Sequence, residues 1–232
     1  MKSWPLQSYR AAGWLVLLLA TAFPSRAESS PDPFARWEKE INAFETADAT
    51  QPPEKGAILF LGSSSIRLWK TLAGDFPAVR VINRGFGGSQ IVDSTHFADR
   101  LVFPHAPRQI VLYAGANDLN AGKSVDQVVT DFQTFVATIR ARLPGLPIAF
   151  IAISGNPARW SQIEKVRETN ARVAAWCEAT PGLAFIDTFT GMIGPDGLPR
   201  PELFVEDRLH LNAEGYRLWQ RIIGPFLTPE TN

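Results

Sequence analysis

The sequence predicts an α/β protein, a three-layer α/β/α sandwich built on a five-stranded parallel sheet. Three observations point there. Short apolar runs alternate with longer segments of helical periodicity along most of the chain. At least one run, residues 109–114, is continuously apolar rather than alternating, as in a strand covered on both faces. The residues after the first three runs are small and polar, the chemistry expected at the carboxyl ends of strands in such a sheet.

The elements follow in order. Asp32-Pro33 reads as a cap followed by a first-turn proline, and Phe34, Trp37, Ile41 and Phe44 recur at helical spacing behind it. Pro52-Pro53 breaks the chain before a first strand at 57–61, and a second short strand is expected at 79–82. The third spans 109–114. Ser124 and Gln127 form a capping box ahead of Val125, Val128, Val129, Phe132, Phe135, Val136 and Ile139, one apolar helical stripe. A fourth strand is expected at 148–153. Ser161 and Glu164 then box a helix running to about residue 177, and the fifth strand covers 183–187. A Gly/Pro-rich loop at 190–206 precedes the last helix, capped by Asn212, with Leu211 and Tyr216 as a hydrophobic staple.

A chain of 232 residues with 45% hydrophobic content suits one domain. Lys2 and Arg10 precede an apolar run at 11–23, and Ser25-Arg26-Ala27 has the small residues that a signal peptidase needs. The run is shorter than the 18 or so residues of a spanning helix. Residues 1–27 are therefore expected to be a signal peptide, and 28–232 a single domain exported to the periplasm or medium, with no stable membrane insertion after cleavage. The leader removes three of 23 basic residues and none of 23 acidic ones, leaving a mildly acidic protein. With no basic cluster, nucleic acid and anionic membrane surfaces are poor partners. The lone Cys177 excludes an internal disulfide, and its place on a helical apolar stripe makes it a buried small hydrophobe. No Cys/His spacing suits zinc.

Chemistry gathers at the strand ends. The first strand is followed by Gly62-Ser63-Ser64-Ser65, the second by a segment from Asn83 to Ser89 containing three glycines, and the third by Gly115-Ala116-Asn117-Asp118. Far downstream stands Asp207-Arg208-Leu209-His210. An aspartate three residues before a histidine can hold one ring nitrogen and leave the other free to deprotonate a hydroxyl, which serine needs to act as a nucleophile. Backbone amides at Ser64 and Gly88 and the carboxamide of Asn117 could supply oxyanion donors. The residues alone leave Ser63, Ser64 and Ser65 open as the nucleophile. Ile66 stands where the second glycine of an α/β-hydrolase elbow would be, which argues against that motif.

These four blocks, in this order and at these strand ends, resemble those of the SGNH hydrolases, also called the GDSL esterase/lipase superfamily. The resemblance covers about 34–226. It implies a flavodoxin-like sheet, Ser64 as nucleophile, His210 as base, Asp207 as its orienter, and Ser64, Gly88 and Asn117 as oxyanion hole, with no metal or cofactor. One position departs: family members commonly carry Asp where this chain has Ser63. The implied activity is that of a serine esterase cleaving small or medium acyl esters through an acyl-enzyme. Acyl transfer to glycans, carbohydrate O-acetyl ester hydrolysis and a silent binding domain are the alternatives. The substrate is a small-molecule or glycan ester, and neither its acyl chain nor the oligomeric state is encoded legibly.

Other polar residues carry lesser expectations. Arg159 and Trp160, in the loop after the fourth strand, are expected to shape the substrate pocket, an indole covering an acyl chain or sugar and a guanidinium gripping a carboxylate. Asp118 is expected to bond local backbone amides and Asn170 a buried backbone group. Asp187 is expected to be structural, and His96 and His105 are expected at the surface or at helix ends, without a carboxylate nearby.

Overall fold

The structure is a computed structural model, and it describes residues 1–3 and 32–230. The expected leader, beyond its first three residues, and the mature start near Glu28 lie outside them. The chain divides into two units, Met1–Asp32 and Pro33–Asn232, and everything below concerns the second. Among the described residues no helix is long and apolar enough to cross a membrane.

Five parallel strands, β1 (Ile58–Gly62), β2 (Val81–Gly85), β3 (Gln109–Tyr113), β4 (Ile148–Ile151) and β5 (Leu183–Ile186), form one sheet in the order β2-β1-β3-β4-β5. The described helices are α1 (Glu38–Thr50), α2 (Ser64–Arg67), α3 (Leu72–Asp75), α4 (Ile91–His96), α5 (Ala98–Leu101), α6 (Ala116–Asn120), α7 (Val125–Arg142), α8 (Ile163–Ala179), α9 (Thr188–Gly191) and α10 (Ala213–Ile223), with short 3-10 turns between some of them.

Period-two alternation divides the core. Leu59, Leu61, Ile110, Leu112, Ile148 and Phe150 face one way, into a layer with Ile41, Ile91, Phe132, Phe135, Val166 and Val173. Ile58, Phe60, Val111, Tyr113, Ala149 and Ile151 face the other, against Ile66, Trp69, Phe76, Tyr216, Trp219 and Ile223. Both faces of the sheet are thus covered, which is why the strand text is continuously apolar. The chain leaves β1 toward β2 on one side and returns to β3 on the other. That reversal opens a crevice beyond the carboxyl ends of β1 and β3, where such sheets bind ligands.

Local expectations hold unevenly. β2 begins later than expected and runs through Asn83, Arg84 and Gly85, a polar stretch that reads as loop but pairs with β1 from Ile58↔Val81 to Gly62↔Gly85. Neighbouring-strand hydrogen bonds override its composition. The first helical turn starts at Ala35 with Phe34, not Asp32, at the cap position. Ser124 caps α7 by accepting the Gln127 amide, but the Gln127 side chain turns to Asp131 instead of closing the box. The Ser161–Glu164 box does not form. A 3-10 turn, Pro157–Gln162, precedes α8, and Asn156 caps it by accepting the Arg159 amide. Asn212 caps α10 as expected, accepting from the amides of Glu214 and Gly215. Leu211 and Tyr216 are both buried in one cluster beside it. Cys177 is buried, and burial pushes its thiol up to about 12.

Candidate active site

Ser64 is the first residue of α2, immediately past β1. Helix α2 settles on β2 because Gly85 has no side chain: a Cβ there would lie 2.2 Å from the Arg67 nitrogen. The Asn83 carboxamide completes the seat, donating to the Ile66 carbonyl at 2.7 Å and accepting from the Gly85 amide at 2.9 Å. Beneath it, the Tyr216 hydroxyl donates to the Ser65 carbonyl at 2.8 Å. The serine is therefore carried by a turn fixed from two sides.

His210 arrives from the other end of the chain. Its Nε2 lies 2.8 Å from Ser64 Oγ, and its Nδ1 lies 2.6 Å from Asp207 Oδ2. The other carboxylate oxygen, Oδ1, accepts the amides of Leu209 and His210, both at 2.9 Å. Arg208, between them, is left-handed at φ 58, so the turn folds back tightly enough for Asp207 to reach both its own backbone and the ring. The turn is held from outside as well. Val205 donates its amide to the His210 carbonyl, and Ala158 donates its amide to the Arg208 carbonyl.

Burial acts to raise the Asp207 carboxyl, but the two amides and the ring of His210 outweigh it and hold the group at about 2. The carboxylate can only accept. Nδ1 therefore carries the proton, and in the neutral ring Nε2 is left as the acceptor facing Ser64.

Because β2 and β3 flank β1, the loops that follow them stand on either side of Ser64. Gly88, exposed and left-handed at φ 76, lies in the loop after β2. Asn117 lies in the first turn of α6, after β3. Its Nδ2 donates one hydrogen to the Ser89 carbonyl at 3.0 Å, tying the two loops and leaving a second N–H. Among the described residues no backbone carbonyl pairs with the amide of Ser64 or of Gly88.

Arg159, expected to help shape the substrate pocket, donates from Nη1 to the side-chain oxygen of Asn117 at 3.0 Å and to the Ala116 carbonyl at 3.1 Å. The guanidinium has no carboxylate partner among the described residues, and burial pushes its pKa down. Trp160, half-buried, packs toward Gly155, with the Arg167 guanidinium 5.9 Å from its ring centre.

Asp118 is fully buried and bonds no local amide. It accepts the Ile91 amide at 3.3 Å, 27 residues away, and the Lys123 ammonium at 2.8 Å. Burial raises its carboxyl and Lys123 opposes that rise. The residue thus anchors the helix that follows the Gly88 loop. Asn170 bonds both the amide and the carbonyl of Ile153, as expected of a satisfied buried group. Asp187 caps α9 through Thr190. His96 ends α4 with its ring stacked on Phe34. His105 departs from expectation: it is buried, with an Asp48 oxygen 3.5 Å from its Nε2, and desolvation pushes its imidazole down. Its carbonyl faces Gly56, ahead of β1, at the sheet end opposite Ser64.

Sequence reasoning missed Asn156 and the buried pair Tyr113 and Ser154, whose hydroxyls meet at 3.0 Å behind the site. Asn156-Pro157 is a legible cap and first-turn proline. Nothing in the local sequence marks Tyr113 as polar-paired.

A profile of the GDSL-like Lipase/Acylhydrolase family matches residues 56–218. The chain belongs to that family. As a GDSL-like acylhydrolase it is a carboxylic ester hydrolase, and its sheet is the one its structural relatives share. A protein from Streptococcus pneumonia, provisionally described as a platelet activating factor, is similar at TM-score 0.73 with 19% identity, over 83% of this chain and 94% of that one. A GDSL-like lipase from Bacteroides thetaiotaomicron gives 0.69 and 19%, over 80% and 96%. A lipase/acylhydrolase from Enterococcus faecalis gives 0.59 and 20%, over 76% and 100%. At these identities the likeness is one of fold. No curated protein matches this acylhydrolase by sequence.

Proposed function

We propose that this acylhydrolase is a serine esterase in which Ser64 is the nucleophile, His210 the general base and Asp207 the residue that orients it. The reading rests on one observation, the chain of contacts from Asp207 Oδ2 through the His210 ring to Ser64 Oγ, at 2.6 and 2.8 Å. His210 Nε2 takes the hydroxyl proton as Ser64 Oγ attacks the ester carbonyl. The oxyanion is met by the amides of Ser64 and Gly88 and the free N–H of Asn117. The imidazolium then protonates the departing alcohol, and water attacks the acyl-enzyme by the same route in reverse. Small to medium acyl groups fit best, because among the described residues no long insertion covers the site. The leader composition supports export to the periplasm or medium.

The test is a panel of p-nitrophenyl esters from acetate to palmitate, alongside acetylated sugars and an alkyl fluorophosphonate. Hydrolysis is expected to favour the shorter chains, and the phosphonate to label the peptide carrying Ser64. Labelling at Ser63 or Ser65, or none during active turnover, would remove Ser64 from the role.

The pH dependence follows. The folded value of Asp207 is below the unfolded one, so its stabilisation is present above about pH 4 and is lost as the pH falls toward 2. The carboxylate stays ionised wherever the protein works, so loss of rate on acidification reports the imidazole. kcat/KM is expected to fall on the acid side, because a base that already holds a proton cannot take one from Ser64. A flat profile on that side, with chemistry limiting, would contradict the assignment of the base.

A further inference from the structure

A groove of about 470 Å³ opens beside the nucleophile turn, lined by Phe44 of α1, Trp69, Leu72, and Val81, Asn83 and Gly85 along the free edge of β2. Three charged residues also line it: Arg67, Lys70 and Glu40. The side chains of Arg67 and Lys70 have no hydrogen-bond or ion-pair partner among the described residues, and two cations against one carboxylate give the groove lining a net positive charge. Arg67 lies one helical turn from Ser64 on the same face of α2.

The position of its guanidinium is built in. Gly87 is not in the left-handed region, so its backbone would accept any residue. A Cβ there would nonetheless stand 2.9 Å from Nε and 3.1 Å from both Cζ and Nη2 of Arg67. The missing side chain at Gly87 lets the guanidinium pack against that residue, one position before Gly88 in the loop after β2.

We propose that Arg67 is a specificity residue and that the favoured substrates are esters bearing a second, free carboxylate. This rests on the esterase reading above and names the substrate class for it. A planar guanidinium with unused donors matches a carboxylate two bonds at a time, and the apolar lining takes the intervening chain. The carboxylate lies on the acyl or the alcohol side, and the experiment separates the two.

Matched pairs are compared by kcat/KM: 4-acetoxybenzoate with 4-acetoxybenzamide, and the 4-nitrophenyl ester of succinic acid with that of succinamic acid. In Arg67→Met the anionic-to-neutral ratio is expected to drop roughly five- to tenfold on one side, the size of one partly exposed charge-assisted pair, with most of the change in KM. Gly87→Ala, which displaces the guanidinium without removing its charge, is expected to lower the same ratio. High salt is expected to lower it in wild type only. An unchanged ratio in both pairs overturns the proposal.

Binding is read separately by calorimetric titration of Ser64→Ala with each anionic ester. Equal Kd values with and without Arg67→Met overturn the proposal whether or not either ester is turned over. Arg67-dependent binding without Ser64-dependent hydrolysis would sustain it and sink the esterase reading instead.

Discussion

Ser64→Ala is expected to lower kcat on p-nitrophenyl acetate by on the order of 10⁴- to 10⁶-fold, with the fold and melting temperature unchanged. The loss is large because the serine, the imidazole and the carboxylate act as a unit. Without Oγ there is no covalent intermediate, and the base has only water to activate. His210→Ala is expected to cost nearly as much, and the double variant little more than either alone. That non-additivity is the sharper measurement. If the two losses multiplied, the residues would be acting independently, and the 2.8 Å contact between them would have no catalytic meaning. Ser63→Ala is the control: Ser63 sits at the cap position of α2 without making a capping bond, so its hydroxyl is not expected to matter on this scale.

Asn117→Ala is expected to lower kcat by about 10²- to 10³-fold, roughly 3–4 kcal/mol of barrier, with KM little changed, as when one oxyanion donor is lost. Arg159→Met is expected to act through the same carboxamide at about tenfold. Its bond to the Asn117 oxygen fixes which end of the amide faces the site and polarises the opposite N–H. Arg159→Lys is expected to recover part of the loss, and combining Arg159→Met with Asn117→Ala to add nothing. A change in KM alone for Arg159→Met would return Arg159 to the substrate-gripping role its sequence position suggests. A drop in melting temperature without a drop in kcat would make it structural.

The strands and long helices were legible because sheet burial and helical periodicity are written in every residue of a segment. β3 is readable from the apolar text that follows Gln109, while β2 runs past its expected end because Asn83-Arg84-Gly85 pairs through backbone atoms that every sequence shares. The four blocks of the candidate site were legible because each is local: a turn, a cap or a four-residue loop. What could not be read was any contact between distant polar residues. Asp118 has the same sequence context whether it caps its own turn or, as here, holds the Ile91 amide. Arg159 looks equally ready to meet a substrate or an Asn117 side chain. His105 lacks a sequence-adjacent carboxylate because Asp48 comes to it through the fold.

The Asp207–His210 turn satisfies its own carboxylate within four residues, through two amides and one ring nitrogen. Asp207 and His210 therefore keep their mutual geometry within the turn, while the amides of Val205 and Ala158 fix where that turn stands. Damage to the surrounding loop would shift the pair bodily and leave a well-formed couple out of reach of its serine. Such a protein would retain a correctly oriented imidazole and still be inert, and grafting the four-residue unit back at the right height would be the repair.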